Sequence, residues 1–201
     1  MAILKIARMG HPVLYEPAEP VADPTAPEIA RLAADMRETL EDIGGSGLAA
    51  PQVFIAKRVV VYRPTRNLVA DDALASEGWT VMVNPVLRPG TEETVMGWER
   101  CLSIPGLHGK VPRYPEVQLS YQGLDGGVRE LEAEGAVAAV LQHECDHLDG
   151  ILYPMRMPDL SLLEFDNAPG RLAADVAEGG EVWPLFERLV EAWPGRERWT
   201  S

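Results

Sequence analysis

Hydrophobic and polar positions follow several rhythms along this 201-residue chain, and each predicts its own kind of element. Ile29, Leu32, Ala33, Met36, Leu40 and Ile43 recur at spacings of three and four, the stripe of an amphipathic helix with one face on a core. Strand-like runs cover Arg58 to Tyr62, Trp79 to Asn84, Glu116 to Tyr121 and Val128 to Ala133. Leu124-Asp125-Gly126-Gly127 separates the last two runs and reads as a hairpin turn. Ala136 to Leu141 is apolar on every side and continues into Gln142-His143. A helix without a polar face belongs in an interior. Gly135 and Gly150 bracket it, where left-handed backbone suits a helix boundary. Glu181 to Trp193 predicts a last amphipathic helix, with Trp183, Leu185, Phe186 and Leu189 packed on the body. Antiparallel or mixed strands surrounding a buried central helix define an α+β fold. No repeat or low-complexity block is apparent.

The buried helix carries His143-Glu144-Cys145-Asp146-His147. Two histidines four apart project from one face, so both imidazoles reach a single cation, and the intervening glutamate handles a proton of the attacking water. Two histidines and two acids on a buried helix would carry a heavy desolvation cost unless metal, hydrogen bonds or ion pairs compensated. The chain has only two cysteines and four histidines, so the choice of a third ligand is narrow. Cys145 lies about 200° around the helix from His143 and reads as a core filler. His11, ahead of Pro12, and His108, in a loop-like stretch between Leu107 and Gly109, read as surface residues. Cys101 is the better candidate, in the short apolar run Gly97 to Gly106 closed by Pro105-Gly106. Its alternative is a buried free thiol, and spacing leaves both open.

Two protease patterns bear on the same helix. Metzincins extend H-E-x-x-H to a third histidine after a glycine, and the chain agrees as far as Gly150 but has Tyr153 in the last place. A thermolysin-like site needs a downstream glutamate, for which Glu164 stands between Pro158 and Pro169 in a poor setting for a long helix. A metalloprotease of another type is therefore the weaker alternative. A non-catalytic structural metal is weaker again, because such sites close with four protein ligands and have no use for Glu144.

Gly44-Gly45-Ser46-Gly47-Leu48-Ala49-Ala50-Pro51-Gln52 ends the first predicted helix. Its glycines allow a close backbone approach to a ligand, yet Leu48-Ala49 occupies the place where a phosphate loop needs G-K-[ST]. Gly45 to Gln52, Glu99 to Ser103 and Gln142 to Gly150, taken together and in this order, resemble the three motifs of peptide deformylase. Ile6 to Leu14 is similar to that family's opening, so the likeness spans the chain to about Met155 and leaves 156–201 as a divergent tail. The motifs must converge, which favours one catalytic domain over 1–201.

The resemblance implies a metal-dependent hydrolase that removes the formyl group from the formylmethionine of new polypeptides and releases formate. It implies Cys101, His143 and His147 as ligands of one divalent metal, ferrous iron first, with zinc, nickel or cobalt as substitutes. Glu144 would be the acid-base residue, and Gln52 with the Leu102 N–H would meet the oxyanion. Backbone around Ser46 and Gly47 would pair with the substrate. Ser46, Glu99, Ala136, Ala139, Val140 and His143 would border the methionine pocket. Arg100 stands where the family has glycine, and Ser46 where it has a hydrophobic residue.

Composition narrows the partners. A formal net charge of −13 argues against direct nucleic-acid recognition. The stretch Pro64 to Gly78 contributes acidity and reads as a solvated loop. No run resembles a signal peptide or a membrane span, and two cysteines make no disulfide framework, so the cytoplasm is the expected compartment. Nascent N-formylmethionyl chains are the implied partners, with transient ribosome contact. Glu187 and Glu191 offset Arg188, and Arg196-Glu197-Arg198-Trp199 closes the chain, so the tail is not basic enough to carry over the ribosome-docking helix of some relatives.

Overall fold

Val59–Tyr62 forms strand β2, and it is buried at all four positions because helices cover both faces of its sheet. Val59 and Val61 pack with Ile29, Ala33, Met36 and Leu40 of α1 (Pro27–Ile43), while Val60 and Tyr62 pack with Ala138, Leu141, Cys145 and Leu148 of α2 (Gly135–Leu148). The computed structural model describes residues 2–65 and 78–194. Most of the acidic Pro64–Gly78 stretch and the closing Arg196–Trp199 lie outside the described residues.

The five-stranded antiparallel sheet runs in the order β1 (Gly47–Ala49), β2, β3 (Thr80–Pro89), β6 (Glu116–Gln122) and β7 (Val128–Glu134). Three of the four expected strands begin and end within a residue of their predicted limits. The strand predicted to stop at Asn84 instead continues to Pro89 through a bulge between Val83 and Val86. Asn84 sits there at φ 51, held by hydrogen bonds with the Val21 N–H and carbonyl and the Gln122 side chain. The bulge absorbs Pro85, whose missing N–H would otherwise break the ladder.

The Gly97 to Gly106 run resolves into a hairpin of β4 (Val95–Cys101) and β5 (Ile104–Arg113), joined by β8 (Glu164–Phe165) into a second antiparallel sheet. An irregularity between Arg100 and Cys101 turns the cysteine toward the interior, where it packs with Ala7, Leu14, Leu152 and Tyr153. The tail adds α3 (Gly170–Ala177) and α4 (Pro184–Ala192), whose Leu172, Phe186 and Val190 bury against Trp98 of β4. These elements make the expected α+β architecture, with α2 as the central helix. Glycine bounds that helix at both ends, Gly135 at φ 56 and Gly150 at φ 74. At Gly150 a side chain would also strike the Tyr15 backbone, 2.6 Å from its carbonyl carbon. Among the described residues no helix is long and apolar enough to cross a membrane.

Candidate active site

Every residue from Leu141 to Leu148 on α2 is buried, which puts five polar side chains in the interior. Each acquires a reason. Gln142 receives the Tyr114 N–H at 3.0 Å and donates to the Tyr114 carbonyl at 2.8 Å, tying the helix to the end of the hairpin. Asp146 accepts from Arg113 at 2.6 Å and from Arg156 at 2.5 Å. Arg113 in turn makes a fork with Glu99, at 2.6 and 3.0 Å, and Glu99 meets Nδ1 of His143 at 2.8 Å. A continuous chain of charges thus runs Arg156, Asp146, Arg113, Glu99, His143.

That chain aims the histidine. With Nδ1 committed to Glu99, Nε2 of His143 turns toward Nε2 of His147, 3.2 Å away, and His147 Nε2 lies 3.3 Å from the Cys101 sulfur. All three donor atoms fall within 4.8 Å of one another. Ligands 2.0–2.3 Å from a tetrahedral metal stand about 3.3–3.6 Å apart, so these separations fit one cation. The buried donor set of one sulfur and two imidazoles suits a divalent transition metal, and a carboxylate behind a ligating histidine is the usual orienting partner.

The electrostatics divide the acids by role. Burial alone would push the Glu99 carboxyl up, but Arg113 and His143 outweigh it and hold it at about 2. Glu99 is therefore a permanent anion. Burial pushes Glu144 up to about 7, with the His143 charge opposing the rise. One oxygen of Glu144 has no hydrogen-bond partner among the described residues, and the side chain borders the open cleft. His143 is raised well above its ordinary range, burial being overcome by the Cys101 sulfur and Glu99. His147 is driven down by burial and by the His143 charge. The Cys145 thiol, buried with the core cluster, is pushed up to about 12 and plays no part in the centre.

The expected site residues fall into two groups. Ser46, Gly47, Gln52, Glu99, Leu102, Val140 and Glu144 line one cleft of about 460 Å³ with Cys101 and His143. His147 lies just beneath it. Gln52 is buried, its Oε1 fixed by the Ala49 N–H at 2.8 Å and its Nε2 pointed at the Cys101 sulfur, 3.6 Å away. Leu102 gives its carbonyl to Arg8 at 2.7 Å. Ala136 and Ala139 stand apart, on an adjoining hollow that also touches Glu99. Arg100 borders the cleft but is drawn back by Asp166. Gly47 has a reason beyond backbone freedom: a Cβ there would lie 2.8 Å from Cγ and Cδ of Glu144.

Two histidine expectations diverge. His11 is exposed and caps a short turn by accepting the Val13 N–H. His108 is no surface or loop residue; it is wholly buried in β5, between Asp166 at 3.1 Å and Glu164 at 3.4 Å. The glycine beside it suggested a loop, whereas Gly109 lets Tyr153 and Met157 press against the strand. Glu164 is spent on His108 and on the backbone opening α3, away from the metal cluster. Tyr153 is buried and stacks against His143, with ring centroids 6.3 Å apart.

Sequence reasoning placed neither Arg113 nor Asp146 in the site, and read the tail residues Trp183 and Leu185, which stand on the cleft wall, only as packing on the body. Asp146 had a signal, since it follows His143 by three and shares its helix face. Arg113 had none.

The sequence of this chain matches the polypeptide deformylase family over residues 3–162. The chain belongs to that family. It is 43% identical over 177 residues to peptide deformylase 1 of Nitrosomonas europaea, covering 86% of this chain and 99% of that one. Peptide deformylase 1 of Bordetella pertussis is 46% identical over 156 residues, 78% of this chain and 88% of the other. Among solved structures, the class I type b peptide deformylase of Acinetobacter baumannii with Met-Ala-Ser bound is similar at a TM-score of 0.68 and 34% identity, covering 77% of this chain and 98% of that one. The chain is accordingly a metal-dependent hydrolase that removes the N-terminal formyl group from formylmethionyl polypeptides. The family match ends at 162, ahead of α3 and α4.

Proposed function

We propose that Glu144 is the acid-base residue of this deformylation and that Cys101, His143 and His147 hold ferrous iron. The observation that carries the proposal is the convergence of these three donors beside a buried carboxyl that is poised near neutrality and open to the cleft. The bound cation supplies Lewis acidity, acidifying water and polarising the formyl carbonyl. Glu144 takes the proton released as water attacks and later delivers it to the departing nitrogen. Its raised value suits both duties, and a cation nearby lowers it toward the basic form. Gln52 Nε2 and the Leu102 N–H face the negative charge that grows on the formyl oxygen; one such donor is worth about 3 kcal/mol. Glu99 holds the His143 tautomer. Ser46 and Gly47 at the start of β1 offer extended backbone to a peptide, and the Acinetobacter baumannii relative has been solved with the peptide Met-Ala-Ser bound.

The chain acts as one catalytic domain over 1–201, in the cytoplasm, on nascent formylmethionyl polypeptides. Its contact with the ribosome is transient, because α4 sets Glu187 and Glu191 against Arg188 and offers no basic face. It engages no nucleic acid and no membrane. The experiment is formate release from formyl-Met-Ala-Ser by protein purified without oxygen, with metal analysis alongside. Glu144→Gln retains the metal and loses about 10²–10⁴ in turnover. Unchanged turnover would remove Glu144 from the mechanism. Iron absent from active, anaerobically purified protein would refute the metal assignment.

A further inference from the structure

The cleft is walled on one side by a segment beyond the family match. Trp183 and Leu185 both line it, as does the loop at Gly44–Gly47. Past Trp183 lies a second hollow of about 860 Å³, which includes Ala136 and Ala139 of α2. Among the described residues, Glu99 and Trp183 border both spaces. Small side chains at 136 and 139 leave room at the head of α2, and a half-buried indole stands on that side. Trp183 packs onto the same core cluster as Ala136 and Val140, with its ring 5.7 Å from that of the fully buried Phe186.

The wall is also fixed relative to the metal ligands. Trp98 donates to Asp175 of α3 at 2.8 Å, and Lys110 pairs with the same carboxylate. Asp166 is bound by both Arg100 and His108. All four anchors on the body belong to the β4–β5 hairpin, which also carries Glu99 and Cys101. The tail, Glu99 and Cys101 therefore share one support.

We propose that Trp183 is a specificity-determining residue, the partition between the cleft and the hollow beside Ala136 and Ala139 that sets how far along α2 the pocket for the substrate's first side chain extends. This rests on the deformylase reading and deepens it. The partition sets pocket length, so an unbranched side chain of methionine size fills the space, while a bulky aromatic one is refused. Leu185 closes the rim. Discrimination of this kind is a matter of excluded volume, and one methylene is worth about 10–200-fold.

The test uses the full chain, loaded with iron and assayed without oxygen on formyl-Met-Ala-Ser and formyl-Phe-Ala-Ser. Trp183→Ala joins the two spaces and raises the Phe-to-Met ratio of kcat/KM at least about tenfold, mainly through KM. Trp183→Phe restores most of the original preference. An unchanged ratio in Trp183→Ala protein of normal metal content overturns the proposal. If that variant does not fold, Trp183→Leu must shift the ratio in the same direction, and an unshifted ratio there refutes it equally. Calorimetric binding of Met-Ala-Ser against Phe-Ala-Ser reads the partition without turnover. A chain that cleaves no formyl peptide yet changes its binding preference on Trp183→Ala would therefore defeat the deformylase reading alone.

Discussion

A single methyl group placed on Gly47 tests the geometry of Glu144, the proposed acid-base residue, more sharply than removing that residue does. The added Cβ would sit 2.8 Å from two carbons of the Glu144 side chain, where ordinary contact starts at 3.4 Å. Oε1 of Glu144 would lie closer still, so the carboxylate must retreat by about 1 Å, because β1 is held in register with β2 through Gly47 and Tyr62. Misplacement by about 1 Å costs about 10² in rate when a group must meet its partner at hydrogen-bond range. Gly47→Ala should therefore lower kcat by about 10²-fold, and by no less than about tenfold. Stability should hardly change, since Gly47 has no left-handed backbone and alanine restricts the unfolded chain. The assay is formate release from formyl-Met-Ala-Ser, with metal content and melting temperature measured on the same samples. Glu144→Gln made with and without Gly47→Ala completes a cycle. If the methyl acts through Glu144, the double variant is no slower than Glu144→Gln. A kcat within threefold of the parent, or a further hundredfold loss in the double variant, would refute the reasoning.

Arg113→Met leaves Glu99 and Asp146 as buried carboxylates short of their shared cation, and should destabilise the fold by about 3–5 kcal/mol in urea unfolding; a loss under 1 kcal/mol would mean that the network is dispensable. Cys101→Ser should abolish stoichiometric metal binding, whereas Cys145→Ser retains it, and plasma-emission analysis of the two proteins decides the ligand assignment. Burial opposes charge on His108, but Asp166 and Glu164 outweigh it and raise the pKa above the ordinary 6.5. That stabilisation is complete below pH 6.5 and is lost as the pH rises through the higher folded value. The advantage of the parent over His108→Phe should accordingly shrink from about pH 6 to pH 9 in denaturant titrations, and an advantage that grew with pH would reverse the sign.

Covalent geometry explains which features are legible in the residues alone. The spacing of His143 and His147 places two imidazoles on one side of any α-helix, and the all-apolar run ahead of them demands burial, so the metal helix is legible from 14 residues. The α1 stripe, the limits of three strands and the glycine boundaries of α2 are local in the same sense. Other features depend on contacts between distant segments, which no local rhythm encodes. Arg113 joins Glu99 to Asp146 across 14 and 33 positions of chain, and it looks like an ordinary arginine in sequence. His108 is a buried residue only because β8 brings Glu164 and Asp166 to it, and β3 outruns its prediction because Val21 and Gln122 hold Asn84 in a left-handed bulge. Trp183 reaches the cleft by way of the tail's ion pairs with the hairpin. Periodicity reports which side of an element faces inward; which distant side chain waits there is decided by packing, where burial and compensation of charge are settled together.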